Sequence, residues 1–267
     1  MCYYFPEVRK ERVDILLDVV RKGADGLLVG CCRQVPMLLY HQEMVNEYRE
    51  KTGVDPREID ASQPEAYRAW ITWRADFFTQ VLRDLNESLA EIETQRGEKI
   101  PVAVRIPSAG LFWNLAQGLA VETWCEEDLV DVLQVEPLDD RHGRGSHDIR
   151  PYVELGRRHG VKIVAGIGAT WAWNPEAMAP ALKRARGLLA VNPDGIEIYE
   201  TEVLAESSQK RWVLPMFGNG QRIEQALGQT NLEACYPVDS TTAGYGHDNH
   251  SFGGGGYDVH GMGALSL

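Results

Sequence analysis

Between Glu7 and Lys22 the apolar side chains Val13, Leu16, Leu17 and Val20 return at the i, i+3, i+4, i+7 spacing of one helical face. Gly23 is placed to end that helix in the left-handed conformation. The run that follows, Gly26-Leu27-Leu28-Val29-Gly30-Cys31-Cys32, lacks polar alternation and predicts a strand covered on both faces. A shorter helix is expected between His41 and Lys51, stopping near Gly53. Ser62 and Glu65 fit a capping box, with Pro64 in the first turn. The long helix behind them carries Trp70, Trp73, Phe77, Val81, Leu85, Leu89 and Ile92 along one face.

Four further strands are predicted at Val102–Ile106, Val132–Glu136, Lys162–Gly168 and Gly195–Tyr199. They recur at roughly 30 residues, the size of a βαβ unit. The clearest helices between them run over Asp148–His159 and Pro175–Val191, the second behind an Asn174-Pro175 cap. A helix followed by five strand–helix units predicts an α/β fold, a parallel (β/α) barrel of the TIM type with right-handed crossovers. Closing such a barrel takes eight strands, so about three β/α units are expected to be absent upstream. Residues 1–218 are read as this partial barrel and 219–267 as a loop-rich extension, since the latter shows no strong periodicity and ends in a glycine run.

The net charge of -12 excludes nucleic acid and anionic membrane as main partners, because neither is drawn to a negative field. A neutral or cationic small molecule remains compatible. Five cysteines without CxxC spacing make no disulfide framework, and Cys31 and Cys32 read as small buried residues. No stretch reaches the roughly 20 apolar residues of a membrane span. The N-terminus has no signal-peptide h-region, which reads as cytoplasmic if that terminus is native.

In parallel barrels the chemistry sits on the loops after the strand C-termini, because these converge on one face. Those positions hold Arg33 and Tyr40 after the first strand, then Arg105, Ser108, Trp113 and Asn114 after the second. The third gives Glu136, His142 and His147, the fourth Trp171 and Trp173, and the fifth Glu197, Tyr199 and Glu200. Carboxylates, guanidiniums and indoles on one face suit a sugar, whose C–H faces stack on aromatic rings while its hydroxyls bridge charged groups. Glycoside hydrolysis typically needs two carboxyl groups, and Glu136 and Glu200 are the candidates. The competing reading of either is a buried ion pair with Arg105 or Arg33. Glu197, inside a strand, must meet an arginine or a ligand. Metal and cofactor are not expected: the histidines at 142, 147, 247 and 250 do not follow zinc spacing, and the glycine run lacks a phosphate loop's lysine.

Two stretches carry a resemblance. Pro6-Glu7-Val8-Arg9 with its helix, followed by Ala24-Asp25-Gly26 and a strand ending at Arg33, resembles the middle of bacterial glycoside hydrolase-like barrels of the glycosyl hydrolase-like family 10 type. Gly195-Ile196-Glu197-Ile198-Tyr199-Glu200 resembles their last barrel strand. The resemblance covers roughly Tyr4 to Gly218 and implies a (β/α)8 barrel that acts on or binds a glycan. In such barrels the strand after Asp-Gly commonly ends near a carboxylate, where this chain has Cys31 and Cys32.

The expectation is therefore a glycosidase-like protein with Glu136 and Glu200 as the catalytic pair. Arg33, Tyr40, Arg105, Trp113, His142, His147, Trp171, Glu197 and Tyr199 are expected to contact the sugar. The alternative is a non-catalytic carbohydrate-binding or scaffold protein derived from such a barrel. An open sheet edge further predicts association of copies.

Overall fold

The computed structural model describes residues 2–32, 40–59, 62–136, 148–168, 178–199 and 214–228. The chain opens on helix α1 (Pro6–Arg21), with Pro6 in its first turn and Val13, Leu17 and Val20 buried. Gly23 adopts a positive φ of 104° and closes the helix by donating its N–H to the Val20 carbonyl. Arg96, the last residue of a distant helix, donates to the carbonyls of Val20 and Ala24, so one guanidinium covers the frayed end.

Five strands follow: β1 (Leu27–Gly30), β2 (Val102–Pro107), β3 (Val132–Glu136), β4 (Lys162–Gly168) and β5 (Gly195–Tyr199). All pair in parallel, in the order β1-β2-β3-β4-β5, as right-handed crossover units produce. Among the described residues β1 and β5 are the two edges of this sheet. The result is a mixed α/β fold whose five-stranded parallel sheet is consistent with part of a β/α barrel.

Between the strands run α2 (Gln42–Thr52), α3 (Pro64–Arg96), α4 (Leu111–Ala116), α5 (Val121–Glu126), α6 (Arg150–His159) and α7 (Met178–Ala190). Two short helices, α8 (Leu214–Phe217) and α9 (Gly220–Leu227), come last. α2, α3 and α6 each stop at a glycine of positive φ, Gly53, Gly97 and Gly160, where a Cβ would be strained. Asp131 and Asp194, each just before a strand, accept the backbone N–H of Val102 and Ile163 and so clamp β2 to β3 and β4 to β5.

Strand alternation divides the side chains between two faces. Val102, Val104, Ile106, Leu133, Val135, Ile163, Ala165 and Ile167 join one core with the inward stripes of α1, α3, α5, α6 and α7. A second cluster forms where the first half of α3 meets α2 and α4: Met44, Tyr48, Trp70, Ile71 and Ala116. At 33 residues α3 is about 50 Å long, so its first half outruns the short strands and packs this aromatic cluster instead.

Several expectations change here. β1 is covered on one face only among the described residues: Leu28 is 56% exposed, because an apolar run does not reveal which neighbours its two faces find. Pro64 takes the first helical position, which makes Gln63 rather than Ser62 the cap residue, and Gln63 makes no side-chain cap bond. Trp113 and Asn114 stand on a helix, α4, and not on a loop. α9 lies within the segment read as a loop-rich extension, yet Ile223 and Ala226 enter the main core and Asn219 caps it by accepting the Arg222 N–H.

Candidate active site

The face of the sheet turned away from the helices holds polar side chains at the centre. Arg105 on β2 stands in register with Gln134 on β3, and Glu197 on β5 with Gly166 on β4. Glu136 lies two residues beyond Gln134, on the same face and at the C-terminal end of β3. Three strands thus carry Arg105, Gln134, Glu136 and Glu197 into one cluster.

One guanidinium nitrogen joins the acids: Arg105 Nη2 lies 3.0 Å from Glu136 Oε2 and 3.9 Å from Glu197 Oε1. The Glu136 side chain is 3% exposed, that of Arg105 13% and that of Glu197 23%. Gln134 and the charge of Glu136 both act on Glu197. Burial, then the charge of Glu136, push the Glu197 pKa above the usual carboxylate range, against the opposing pull of Arg105. Burial alone would lower the Arg105 pKa, but Glu136 foremost, then Cys32 and Glu197, carry it above its ordinary value. The cluster therefore combines a cation with two carboxyl groups, one of which, Glu197, holds its proton to higher pH than a free glutamate.

The neighbouring strands are shaped to admit it. At Gly166 an added Cβ would sit 2.3 Å from Glu136 Oε2, so β4 makes room for this carboxylate by having no side chain. At the end of β1, Cys31 packs into the helix-side core, while Cys32 is equally buried, outside that core, and close enough to Arg105 to act on its charge.

The other candidates fall as follows. Arg105 and Glu197 are in the cluster; Glu136 is there too, in the buried ion pair that the sequence allowed as its competing reading. Tyr40 is 45% exposed and stacks on Trp70 in the aromatic cluster, apart from the sheet face. Trp113 is half-buried on α4. Asn114 is fully buried, its amide donating to the Pro107 carbonyl and the Tyr152 hydroxyl, which fastens α4 to the end of β2 and to α6. Tyr199 ends β5 in register with Gly168. Arg33, His142, His147, Trp171 and Glu200 lie outside the described residues.

Gln134, Cys32 and Gly166 were not foreseen as members of the site. Gln134 could have been found from Glu136 by strand alternation alone. Among the described residues no three His, Cys, Asp or Glu side chains group to hold a metal ion, and no helix is long and apolar enough to cross a membrane.

The sequence matches no family model, and no curated protein matches it. In three dimensions the chain is similar to the glycoside hydrolase domain of PgaB (BpsB) from Bordetella bronchiseptica, at 16% identity and a TM-score of 0.50. The likeness covers 79% of this chain and 62% of that one, so the chain spans less than two thirds of its structural neighbour. At this identity the similarity speaks for the parallel β/α fold alone.

Proposed function

We propose that this chain engages a carbohydrate at the C-terminal ends of its parallel strands and acts there as a glycoside hydrolase-like protein, with Glu197 as the proton donor. The observation that carries the reading is the unequal pair of acids on Arg105: Glu136 is buried against the guanidinium, while Glu197 is farther from it and more exposed, and burial and the charge of Glu136 push its pKa up. Environments that drive two carboxyl pKa values apart separate acid from base roles.

Cleavage of a glycosidic bond needs a proton on the leaving oxygen and a second carboxylate at the anomeric carbon, either as nucleophile or to activate water. Glu197 supplies the first, its proton replaced from the water that ends on the sugar. Glu136 keeps that proton on Glu197 until it is used, and Arg105 holds both acids in place. Two acids held on one guanidinium nitrogen leave no space for a sugar between them, so the second carboxylate is assigned to Glu200, three residues further on. Arg33, Trp113 and Trp171 are assigned to holding the sugar.

The test is a glycan hydrolysis panel on the full chain and on Glu197→Gln and Glu200→Gln, with folding checked by circular dichroism. Both variants should fold and lose turnover. Full turnover in Glu197→Gln would remove the proton-donor role, and full turnover in Glu200→Gln would remove the second carboxylate.

A second reading, carbohydrate binding without hydrolysis, is favoured by one observation: Glu136 is committed to a buried ion pair, and the end of β1 offers Cys31 and Cys32 in place of a carboxylate. Saturable glycan binding with no product in the same panel decides for it.

A further inference from the structure

Arg74 is 2% exposed, on α3 one turn beyond Trp70. Its Nη2 donates to the carbonyl of Ala116, the last residue of α4. The guanidinium carbon lies 5.6 Å from the Trp70 ring and 5.8 Å from the Tyr40 ring. Among the described residues no carboxylate pairs with it; the charges felt at Arg74 are those of the Tyr40 and Tyr67 phenols, which are neutral near pH 7. A guanidinium does not shed its proton, so a full cation is enclosed here without a counter-charge. A buried ion left so costs several kcal/mol.

The neighbouring polar atoms are of one kind. Arg74 Nε–H, the Trp70 indole N–H and the Gln117 amide nitrogen are all buried, and none has an acceptor among the described residues. Trp70 and Ala116 belong to one cluster, and Gln117 follows Ala116 in the chain. Two unanswered donors, Arg74 Nε–H and the Trp70 indole N–H, at a cation with no counter-charge among the described residues call for a group that only accepts. Capping of α4 accounts for Nη2 and for part of the charge, since a helix C-terminus is weakly negative. It leaves Nε–H unanswered, and α4 has only six residues.

We propose that Arg74 anchors a binding site for an oxyanion, a carboxylate, sulfate or phosphate group, enclosed by Trp70 and Tyr40. The planar fork of a guanidinium matches two oxygens of such a group, and the stacked rings beside it keep water away and strengthen the contact. Tyr40 stacks on Trp70 at 5.4 Å and is itself 45% exposed, which makes it the outer wall through which the ligand enters. α2 and α4 follow β1 and β2, so the site lies on the side of the strand C-termini. The anion arrives either as a substituent of a sugar or as a free or esterified inorganic oxyanion. The site does not depend on the carbohydrate reading.

Thermal unfolding of the full chain with sodium phosphate, sodium sulfate or sodium glucuronate, at ionic strength held constant with sodium chloride, tests this. The wild type should show a saturable rise of about 5 °C at a hundredfold excess over Kd. Arg74→Met should lose the rise, and Arg74→Lys, which keeps the charge without the fork, should bind at least tenfold more weakly by calorimetry. A response to glucuronate alone assigns the anion to a sugar; a response to phosphate or sulfate assigns it to the inorganic class. The absence of a saturable rise with all three, or an equal rise in Arg74→Lys, overturns the proposal. The lysine variant keeps the test decisive should Arg74→Met fail to fold.

Discussion

Glu136 and Gly166 are in contact across β3 and β4, so close that a methyl group on residue 166 would overlap a carboxylate oxygen, with 2.3 Å between Cβ and Oε2. Either β4 shifts or Glu136 leaves Arg105. Gly166→Ala is therefore expected to destabilise the protein by about 1–3 kcal/mol, the usual result of forcing atoms into a filled space. Gly187 on α7 is the control: a Cβ there meets nothing within 4 Å. Gly187→Ala should be neutral or gain up to about 1 kcal/mol from helix propensity. Urea denaturation midpoints of the two variants decide; equal midpoints would show that Glu136 has room to move.

Glu136 and Arg105 are worth most when neither stands alone. Glu136→Gln removes the nearer negative charge from a guanidinium that is 13% exposed, and should cost about 3–5 kcal/mol. Arg105→Met combined with Glu136→Leu leaves neither partner as an unpaired ion and should recover part of that loss. A double-mutant cycle on unfolding free energies measures the coupling. Additive losses would mean that the ion pair carries no stability of its own.

How far these contacts were legible depends on how local their causes are. β3, β4 and β5 could be read to the residue, because each is a short apolar run bounded by charged or glycine positions that act on the chain locally. The six-residue helices α4 and α5 went unseen, since fewer than two turns leave no periodicity to detect. Arg105, Glu136 and Glu197 stood out as charges inside apolar strands, where burial without a partner is too costly. The sequence allowed Glu136 to pair with Arg105 or Arg33 and Glu197 to meet an arginine, but that both acids share Arg105 was not legible: it depends on the register of Arg105 with Gln134 and of Glu197 with Gly166, which the sheet as a whole decides. Gly166 likewise shows its purpose only when a carboxylate from the next strand occupies the missing side chain's place.

Asn114 and Tyr152 form a small buried network at the end of β2. The Tyr152 hydroxyl accepts from the Asn114 amide at 2.7 Å and from the Gly110 N–H at 2.9 Å, and donates to the Pro107 carbonyl. Asn114→Ala and Tyr152→Phe should each cost about 2 kcal/mol, chiefly through the buried groups left without partners. The double variant should cost less than the sum, because both changes break one network. Calorimetric unfolding of the three variants tests this, and strict additivity would count against a shared network.

Glu197 makes stability depend on pH, and the sign follows from its raised pKa. In the unfolded chain this carboxyl titrates in the ordinary glutamate range; in the folded protein burial first, and the Glu136 charge second, hold the proton to higher pH. Between those two values the native state binds more protons than the unfolded one, so stability falls as pH rises. The contribution is complete below the unfolded pKa and gone once pH passes the folded one. Because the charge of Glu136 acts on Glu197, the transition belongs to the pair and not to either acid. Glu197→Gln, which is neutral at every pH, should remove this slope and leave a variant that gains on the wild type as pH rises through the window. Unfolding free energies of both proteins from pH 4 to pH 8 provide the comparison. A difference that stays constant across that range would mean that Glu197 titrates as an ordinary exposed acid.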